Sequence, residues 1–142
     1  MNTFVTDASI AIKWVVEEEG TREALVLYQR AKLIAPELLV PECANILWKK
    51  TQRSELSKEE ALLAAALLQH AEIELLPTRS LLEAATRIAI ELDHPAYDCL
   101  YLALAVANDC RFATSDERFL RKLGSGSLHE RAISLSQAAG IA

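Results

Sequence analysis

The sequence predicts an α/β fold, a parallel sheet with helices on both faces. The main observation is that short apolar runs typical of buried strands alternate with helical segments of about 10–15 residues, which is the pattern of βαβ units. The chain has 142 residues, 51% of them hydrophobic and 25% charged. These values suit one compact domain over residues 1–142, with a single core. No repeat of about 20–50 residues is visible.

Three apolar patterns define the first part of the chain. Phe4–Thr6 is a short apolar run that predicts a buried strand. Apolar residues recur at helical spacing over Ala8–Val16, where Ser9 is available as the N-cap. After a glycine, a second amphipathic stripe predicts a helix over Thr21–Leu33, and Ile34-Ala35 could form a minimal strand.

Prolines and capping residues define the middle of the chain. Pro41 has no backbone N–H, so the helix that runs from Glu42 to Arg53 either starts at the proline or is kinked there. Ser57 and Glu60 form a capping box that opens a helix ending near Ala71.

The remaining elements follow the same alternation. Ile73–Leu76 predicts a strand, and Thr78 or Ser80 would cap the next helix, which ends at Leu92. Pro95 then occupies the first position of a helix that is apolar almost all round. The last elements are a strand over Arg111–Thr114, a helical turn over Glu117–Leu123, and a strand over Ala132–Leu135 before a short tail.

Composition and charge exclude several functional classes. The net charge of −5 argues against a protein that binds nucleic acid mainly by neutralising phosphates. No apolar run approaches the ~20 residues of a membrane span. The N-terminal residues lack the basic region and cleavage site of a signal peptide, so we expect a cytoplasmic protein. The three cysteines and three histidines lack the spacing of a zinc site, and the cysteines are expected to be buried free thiols.

Four carboxylates occupy positions that a parallel sheet would bring together. Asp7 and Asp116 follow predicted strands, and they share a crevice if the first and fourth strands are neighbours. Glu42 and Asp98 lie at the beginnings of helices, where the helix dipole favours negative charge. Each acid alone also fits an ordinary role as a cap, a loop residue or a solvated charge. Asp98 is the least ordinary, since it is the one charge in an apolar helix.

Clustered carboxylates require a cation. At a separation of about 5 Å each pair repels by about 3 kcal/mol at an effective dielectric constant of 20. Carboxylates together with retained waters suit Mg²⁺ or Mn²⁺, and such an ion can activate water for phosphodiester hydrolysis without a covalent intermediate. The sequence contains no glycine-rich phosphate loop and no G-x-S-x-G nucleophile motif.

The residues around these acids resemble the PIN-domain ribonucleases, and within them the VapC-like toxins of toxin–antitoxin pairs. The matching blocks occur in family order across essentially the whole chain. They are Val5–Ser9, Pro41–Leu47, Tyr97–Ala105 and Ala113–Phe119. The resemblance implies a three-layer α/β/α sandwich with a short, mainly parallel central sheet, and a Mg²⁺ or Mn²⁺ pocket that cleaves RNA.

The same resemblance implies roles for individual residues. Asp7 and Asp98 would be the principal metal ligands, and Asp116 would complete the ligand shell directly or through water. Glu42 would hold a water molecule of the metal or a second ion. Polar residues that often support such a pocket, or that only cap helices and order loops, are Ser9, Asn45, Thr114 and Ser115.

Partners are also implied by the resemblance. It implies a homodimer and a cognate antitoxin protein that fills the active-site groove, commonly with a basic side chain. The segment 61–68 is apolar over more of its circumference than one core contact needs, which fits either an interface or plain burial. Two basic clusters could contact RNA or simply be solvated, namely Lys49, Lys50 and Arg53, and Arg118, Arg121 and Lys122.

Two other functions remain open from the residues. One is a phospho-accepting signalling domain with Asp7 or Asp116 as the acceptor, although no lysine partner is evident at the end of a later strand. The other is a catalytically silent module that only binds RNA or a protein.

Overall fold

The computed structural model describes residues 1–142 and contains one sheet of five parallel strands. The strands are β1 (Thr3–Thr6), β2 (Lys32–Pro36), β3 (Glu74–Leu76), β4 (Arg111–Thr114) and β5 (Ala132–Ser134). Their order in the sheet is β3-β2-β1-β4-β5, and every neighbouring pair is parallel. The chain therefore builds to one side of β1 and then returns to its other side, so that the strand order reverses between β1 and β4. The first and fourth strands are neighbours, as the crevice requires.

Eight helices surround the sheet. They are α1 (Ala8–Val15), α2 (Thr21–Arg30), α3 (Leu39–Gln52), α4 (Lys58–Gln69), α5 (Leu82–Leu92), α6 (Ala96–Ala107), α7 (Glu117–Leu123) and α8 (Leu135–Ile141). Short 3₁₀ turns precede α5 and β5. None of these helices combines the length and the apolar character that crossing a membrane demands.

Successive side chains along the central strands point to opposite faces of the sheet, so a hydrophobic core forms on each face. On one face Phe4 and Ala113 pack in a cluster of 10 buried residues that includes side chains of α2 and α8. On the other face Val5 and Phe112 belong to a cluster of 22 buried residues that includes α6. Sheet and helices thus form the three-layer α/β/α sandwich expected from the resemblance.

Helix α6 is the central element of the larger core. Residues Tyr101–Ala105 and Cys99 are buried, and the helix packs against β1, β2 and β4. Asp98 lies in its first turn. The apolar character on all sides of this helix is therefore explained by its place between the sheet and α5, against which it also packs.

Several helix boundaries differ from the sequence prediction. Asp7, rather than Ser9, caps α1, because its carboxylate accepts a hydrogen bond from the N–H of Ile10. The second helix ends at Arg30 instead of Leu33, because the following residues pair with β1. Helix α3 begins at Leu39, so Pro41 lies within its first turn, where the missing N–H costs no hydrogen bond.

Other caps were also wrong or incomplete. Neither Thr78 nor Ser80 caps α5, which continues directly from a 3₁₀ turn. Pro95 is the N-cap of α6 rather than its first residue. The C-terminal residues, for which the sequence predicted a short tail, form α8, and the hydroxyl of Ser134 caps this helix. The capping box at Ser57 is confirmed.

Candidate active site

Asp7 is a buried carboxylate at the carboxyl end of the central strand. It is 7% exposed and follows β1 directly. Its Oδ1 accepts hydrogen bonds from the Ser9 hydroxyl at 2.7 Å and from the N–H of Ile10 at 3.1 Å. Its Oδ2 accepts one from the Thr114 hydroxyl at 2.7 Å. The carboxylate is thus held by donors from α1 and β4, and all of these donors are neutral.

Thr114 connects Asp7 to the end of β4. Because Thr6 pairs with Ala113, the next residues, Asp7 and Thr114, meet where the strand order reverses. Thr114 Oγ1 also accepts a hydrogen bond from the N–H of Asp116 at 3.1 Å. A second link runs between the hydroxyls of Ser9 and Ser115, 3.0 Å apart.

The carboxylate of Asp116 caps α7. Its Oδ1 accepts a hydrogen bond from the N–H of Phe119 at 3.1 Å. The residue is partly buried, and it is joined to the Asp7 network through its backbone. The second carboxylate oxygen has no hydrogen bond to protein.

Glu42 enters the site from the first turn of α3. This helix begins three residues after β2 ends, which brings its N-terminus to the same edge of the sheet. The buried hydroxyl of Tyr101, one turn beyond Asp98 on α6, donates a hydrogen bond to Glu42 Oε1. The bond fixes the carboxylate against α6 and raises the pKa of Tyr101, which burial raises further.

Asp98 is paired with His94, which lies just before α6. His94 Nε2 donates to Asp98 Oδ2 at 2.7 Å. The His94 side chain is 8% exposed and that of Asp98 is 33% exposed. The Asp98 side chain is more accessible than the buried Asp7, which suits it to contact a ligand.

Asp7, Glu42 and Asp98 interact electrostatically. Burial raises the pKa of Asp7 above its usual value, and Asp98 adds to the increase, although the hydrogen bonds from Ser9, Thr114 and Ile10 oppose it. Burial also raises the pKa of Glu42, with smaller increases from Asp7 and Asp98 and an opposing effect of Tyr101. The structure therefore brings these three acids together, whereas Asp116 is connected by hydrogen bonds.

The acids fit a hydrated Mg²⁺ or Mn²⁺ ion. No lysine or arginine forms an ion pair with any of the four, and the one basic side chain paired with them is the His94 imidazole on Asp98. No three His, Cys, Asp or Glu side chains converge closely enough to form a complete metal cage. Magnesium is usually held by one or two carboxylates and keeps several waters, so a loose set of oxygen ligands suits it better than it suits zinc.

The polar residues predicted to support the site divide into two groups. Ser9, Thr114 and Ser115 belong to the hydrogen-bond network around Asp7. Asn45 is exposed on α3 and makes no side-chain hydrogen bond, so it does not belong to this network.

Sequence reasoning assigned no role to His94 or Tyr101. His94 is four residues before Asp98 in the sequence, a spacing that allows a contact but does not specify one. The partner of Tyr101 is Glu42, 59 residues away in the sequence, which no local pattern indicates.

Two of the six basic residues considered for RNA binding are engaged within the protein. Lys50 forms ion pairs with Glu18 and Glu55, and Lys122 donates a hydrogen bond to the carbonyl of Asp93. The exposed basic side chains that remain are Lys49, Arg53, Arg118 and Arg121.

We predict that Asp7→Asn stabilises the metal-free protein. The folded protein keeps a proton on Asp7 to a higher pH than the unfolded chain does, so wild-type stability falls as the pH rises from the ordinary carboxyl range through the raised pKa. Asparagine removes the charge and keeps an oxygen that can cap α1. Calorimetry in EDTA should give a higher melting temperature for the variant at about pH 7.5, and the difference should narrow towards about pH 4.

The exposed Glu91→Gln serves as the matched control, because it removes a carboxylate outside the cluster. We expect its melting temperature to follow wild type at every pH. In a chain of this size 1 kcal/mol corresponds to roughly 4 °C, which calorimetry resolves. A lower melting temperature for Asp7→Asn across the whole pH range would contradict the prediction.

Comparisons with solved structures support the fold. The chain is similar to PAE2754 from Pyrobaculum aerophilum, with a TM-score of 0.72 and 18% identity over 99% of this chain and 88% of that one. It is similar to VapBC2 from Rickettsia felis, solved bound to a DNA fragment from their promoter, with a TM-score of 0.64 and 11% identity over 93% of this chain and 98% of that one.

A toxin–antitoxin complex from Klebsiella pneumoniae gives a TM-score of 0.60 and 10% identity over 93% of this chain and 97% of that one. No curated protein sequence matches the chain. The family model of the PIN domain matches residues 4–124, a span that contains all four acids. The chain therefore belongs to the PIN-domain family, whose members are generally nucleases.

Proposed function

We propose that this protein is a Mg²⁺- or Mn²⁺-dependent endoribonuclease, the toxin of a toxin–antitoxin pair, and that it acts in the cytoplasm. The observation that carries the proposal is the group of interacting carboxylates of Asp7, Glu42 and Asp98, which has no lysine or arginine partner. The group lies at the edge of the sheet formed by the carboxyl ends of the strands, between β1 and β4, where the strand order reverses.

In this proposal Asp7 and Asp98 are the principal ligands of the ion, and Asp116 completes the ligand shell directly or through water. A divalent ion held there supplies Lewis acidity and neutralises negative charge at the phosphorus. Asp7 is fixed by its three hydrogen bonds. Asp98 and Asp116 each keep one carboxylate oxygen without a protein hydrogen bond, so each has an oxygen available to a ligand.

Glu42 is the proposed proton acceptor for the attacking water. Its raised pKa makes it a stronger base than an exposed glutamate, and the Tyr101 hydroxyl engages one oxygen while the other stays free. Tyr101 thus orients the base. Arg118, exposed in the first turn of α7 and two residues after Asp116, is placed to contact a phosphate of the RNA strand.

We predict that the protein cleaves RNA only with a divalent ion. Labelled total RNA should be cut in Mg²⁺ or Mn²⁺ and stay intact in EDTA. Glu42→Gln should lower the cleavage rate by about 10²–10⁴-fold, the usual contribution of general base catalysis. Asp98→Asn should abolish cleavage, whereas Glu91→Gln, the same change as Glu42→Gln on the exposed face of α5, should leave the rate unchanged.

Other outcomes identify the alternative functions. Cleavage by Asp98→Asn at the wild-type rate would falsify the nuclease proposal. Covalent labelling of Asp7 or Asp116 by a small phosphodonor, without RNA cleavage, would indicate a signalling domain. RNA binding of equal strength with and without the ion, again without cleavage, would indicate a silent binding module.

A surface groove that none of the four acids lines is the proposed docking site for the antitoxin, in addition to the active-site groove that the resemblance implies. It has a volume of about 430 Å³ and lies between the end of α1, the end of α3 and α4. Apolar side chains line it, including Val16, Leu56 and Leu63, and glutamates such as Glu17 and Glu60 surround them. An amphipathic segment with basic residues at its margins is complementary to this surface, and two of the similar structures are toxin–antitoxin complexes by name.

Adjacent leucines on α4 provide a matched test of this groove. Leu63 lines the groove and is 63% exposed, whereas Leu62 is 60% exposed and does not line it. Leu63→Lys should weaken the antitoxin, taken as the small protein encoded by the adjacent reading frame, by at least about 10-fold, because it places a charge in the apolar contact. Isothermal titration should show Leu62→Lys near the wild-type value. Equal losses for both variants would contradict this placement.

A homodimer is part of the proposal. Four large apolar side chains stay exposed on the adjacent helices α5 and α6, namely Leu82 at 71%, Ile90 at 75%, Tyr97 at 64% and Val106 at 42%. Exposed apolar side chains on packed helices are typical of subunit interfaces.

We predict that Ile90→Glu shifts the protein from dimer to monomer, since association would bury an unpaired charge. Analytical ultracentrifugation should show a dimer dissociation constant at least about 10-fold higher than that of wild type. Leu62→Glu, an equally exposed apolar position on α4, is the control and should stay dimeric. A wild-type monomer at all accessible concentrations would refute the dimer.

A further inference from the structure

His94 is a buried polar residue whose only polar contact through the ring is with a site carboxylate. Its Nε2 donates to Asp98 Oδ2 at 2.7 Å, while Nδ1 has no hydrogen-bond partner. The side chain is 8% exposed. Since burying an imidazole with one nitrogen unpartnered is unfavourable, the bond to Asp98 is the contact that offsets the burial of the ring.

The His94 ring also contacts a side chain of α7. His94 and Phe119 have ring centroids 4.9 Å apart with planes inclined by 52°. Phe119 is fully buried, packs against Phe112 of β4, and donates its backbone N–H to Asp116. A continuous series of contacts therefore runs from Asp98 through His94 and Phe119 to Asp116, the acid that is not among those that interact electrostatically with Asp7 or Glu42.

We infer that His94 is a positioning residue, which fixes the Asp98 carboxylate relative to α7 so that Asp98 and Asp116 are presented together to a divalent cation. This inference rests on the proposed function, because it assigns His94 a role at that same site. The bond engages Oδ2 and leaves Oδ1, on a side chain that is one-third exposed, without a protein partner. Ligand carboxylates oriented by a neighbouring hydrogen-bond donor are a general feature of metal sites.

Asp98 needs such a partner because it has no other. The carboxylate of Asp7 accepts three hydrogen bonds from α1 and β4, and Glu42 accepts one from Tyr101. Asp98 lies in the first turn of α6, whose N-cap is the proline Pro95 and offers no side-chain donor. His94, four residues earlier, is the one donor to its side chain. Without it, the carboxylate would rotate freely about its side-chain bonds.

Three substitutions of His94 distinguish an effect of the position of the hydrogen-bond donor from an effect of packing. Glutamine at 94 places its amide nitrogen about as far from the backbone as Nε2, asparagine places the same group one methylene short, and leucine removes the donor. The measurement is the dissociation constant for Mn²⁺, taken by isothermal titration of the full chain in the absence of RNA. A thermal melt of each metal-free variant reports folding.

We expect His94→Leu and His94→Asn to weaken Mn²⁺ binding by about 10–100-fold, the usual effect of removing a partner of a metal ligand. His94→Gln should bind within about 3-fold of wild type, a difference of about 0.65 kcal/mol. If His94→Leu fails to fold, the comparison of asparagine with glutamine decides the question, since the two differ only in reach.

The outcomes distinguish this inference from the proposed function. Wild-type affinity in His94→Asn, or equal loss in His94→Asn and His94→Gln, overturns the positioning role and leaves the nuclease proposal standing. Weaker Mn²⁺ binding in His94→Asn with rescue in His94→Gln, in a protein that cuts no RNA, supports the positioning role and overturns the nuclease. A wild-type protein that binds no Mn²⁺ overturns both.

Discussion

The burial of the Asp7 carboxylate at the end of β1 is the constraint on which the site depends. An ionised carboxylate at a buried position costs several kcal/mol unless its charge is compensated. Here hydroxyl and backbone donors satisfy its oxygens, yet its pKa stays raised, so hydrogen bonding offsets only part of the cost. The fold places two further acids within electrostatic reach instead of a lysine or arginine. The rest of the fold must offset this unfavourable arrangement, and the cation of the proposed function would reduce the cost.

The neighbouring acids are also held by hydrogen bonds from side chains that are neither lysine nor arginine. Tyr101 bonds to Glu42 and His94 bonds to Asp98, and both donors belong to α6 or to the residues just before it. Helix α6 thus carries Asp98 and the donor to Glu42, and the donor to Asp98 lies just before the helix. Its apolar residues anchor it between the sheet and α5, so that these hydrogen bonds rest on a rigid element. This explains why the most apolar helix in the chain supports the most polar part of the molecule.

The sequence was sufficient for the fold class and for the buried character of α6, whereas the adjacency of the first and fourth strands was only a condition that the structure satisfies. The first two depend on hydrophobic patterns and on general rules of parallel sheets. The sequence was not sufficient to identify every N-cap residue. Ser9 is an acceptable N-cap by type, but Asp7 takes the role because it is the one residue between the end of β1 and the beginning of α1. The partners of the acids, His94 and Tyr101, were missed because a side chain's bonding depends on tertiary neighbours that no local pattern specifies. Asn45 was included by resemblance alone, and its exposure on α3 leaves it outside the network.

The absence of lysine and arginine partners around the acids also affects the conditions under which the proposed nuclease would bind RNA. An RNA strand carries one negative charge per nucleotide, and the chain has a net charge of −5. Near the interacting carboxylates, a phosphodiester is repelled until a cation changes the local sign of the potential. In the proposed nuclease, Arg118 and the other exposed basic side chains would attract the strand at the margin, and the scissile phosphate would approach favourably only once a cation neutralises the acids. Metal binding and substrate binding would then be coupled by charge. By the same argument, a basic side chain of the proposed antitoxin, placed among the acids, would compensate their charge and compete with the cation.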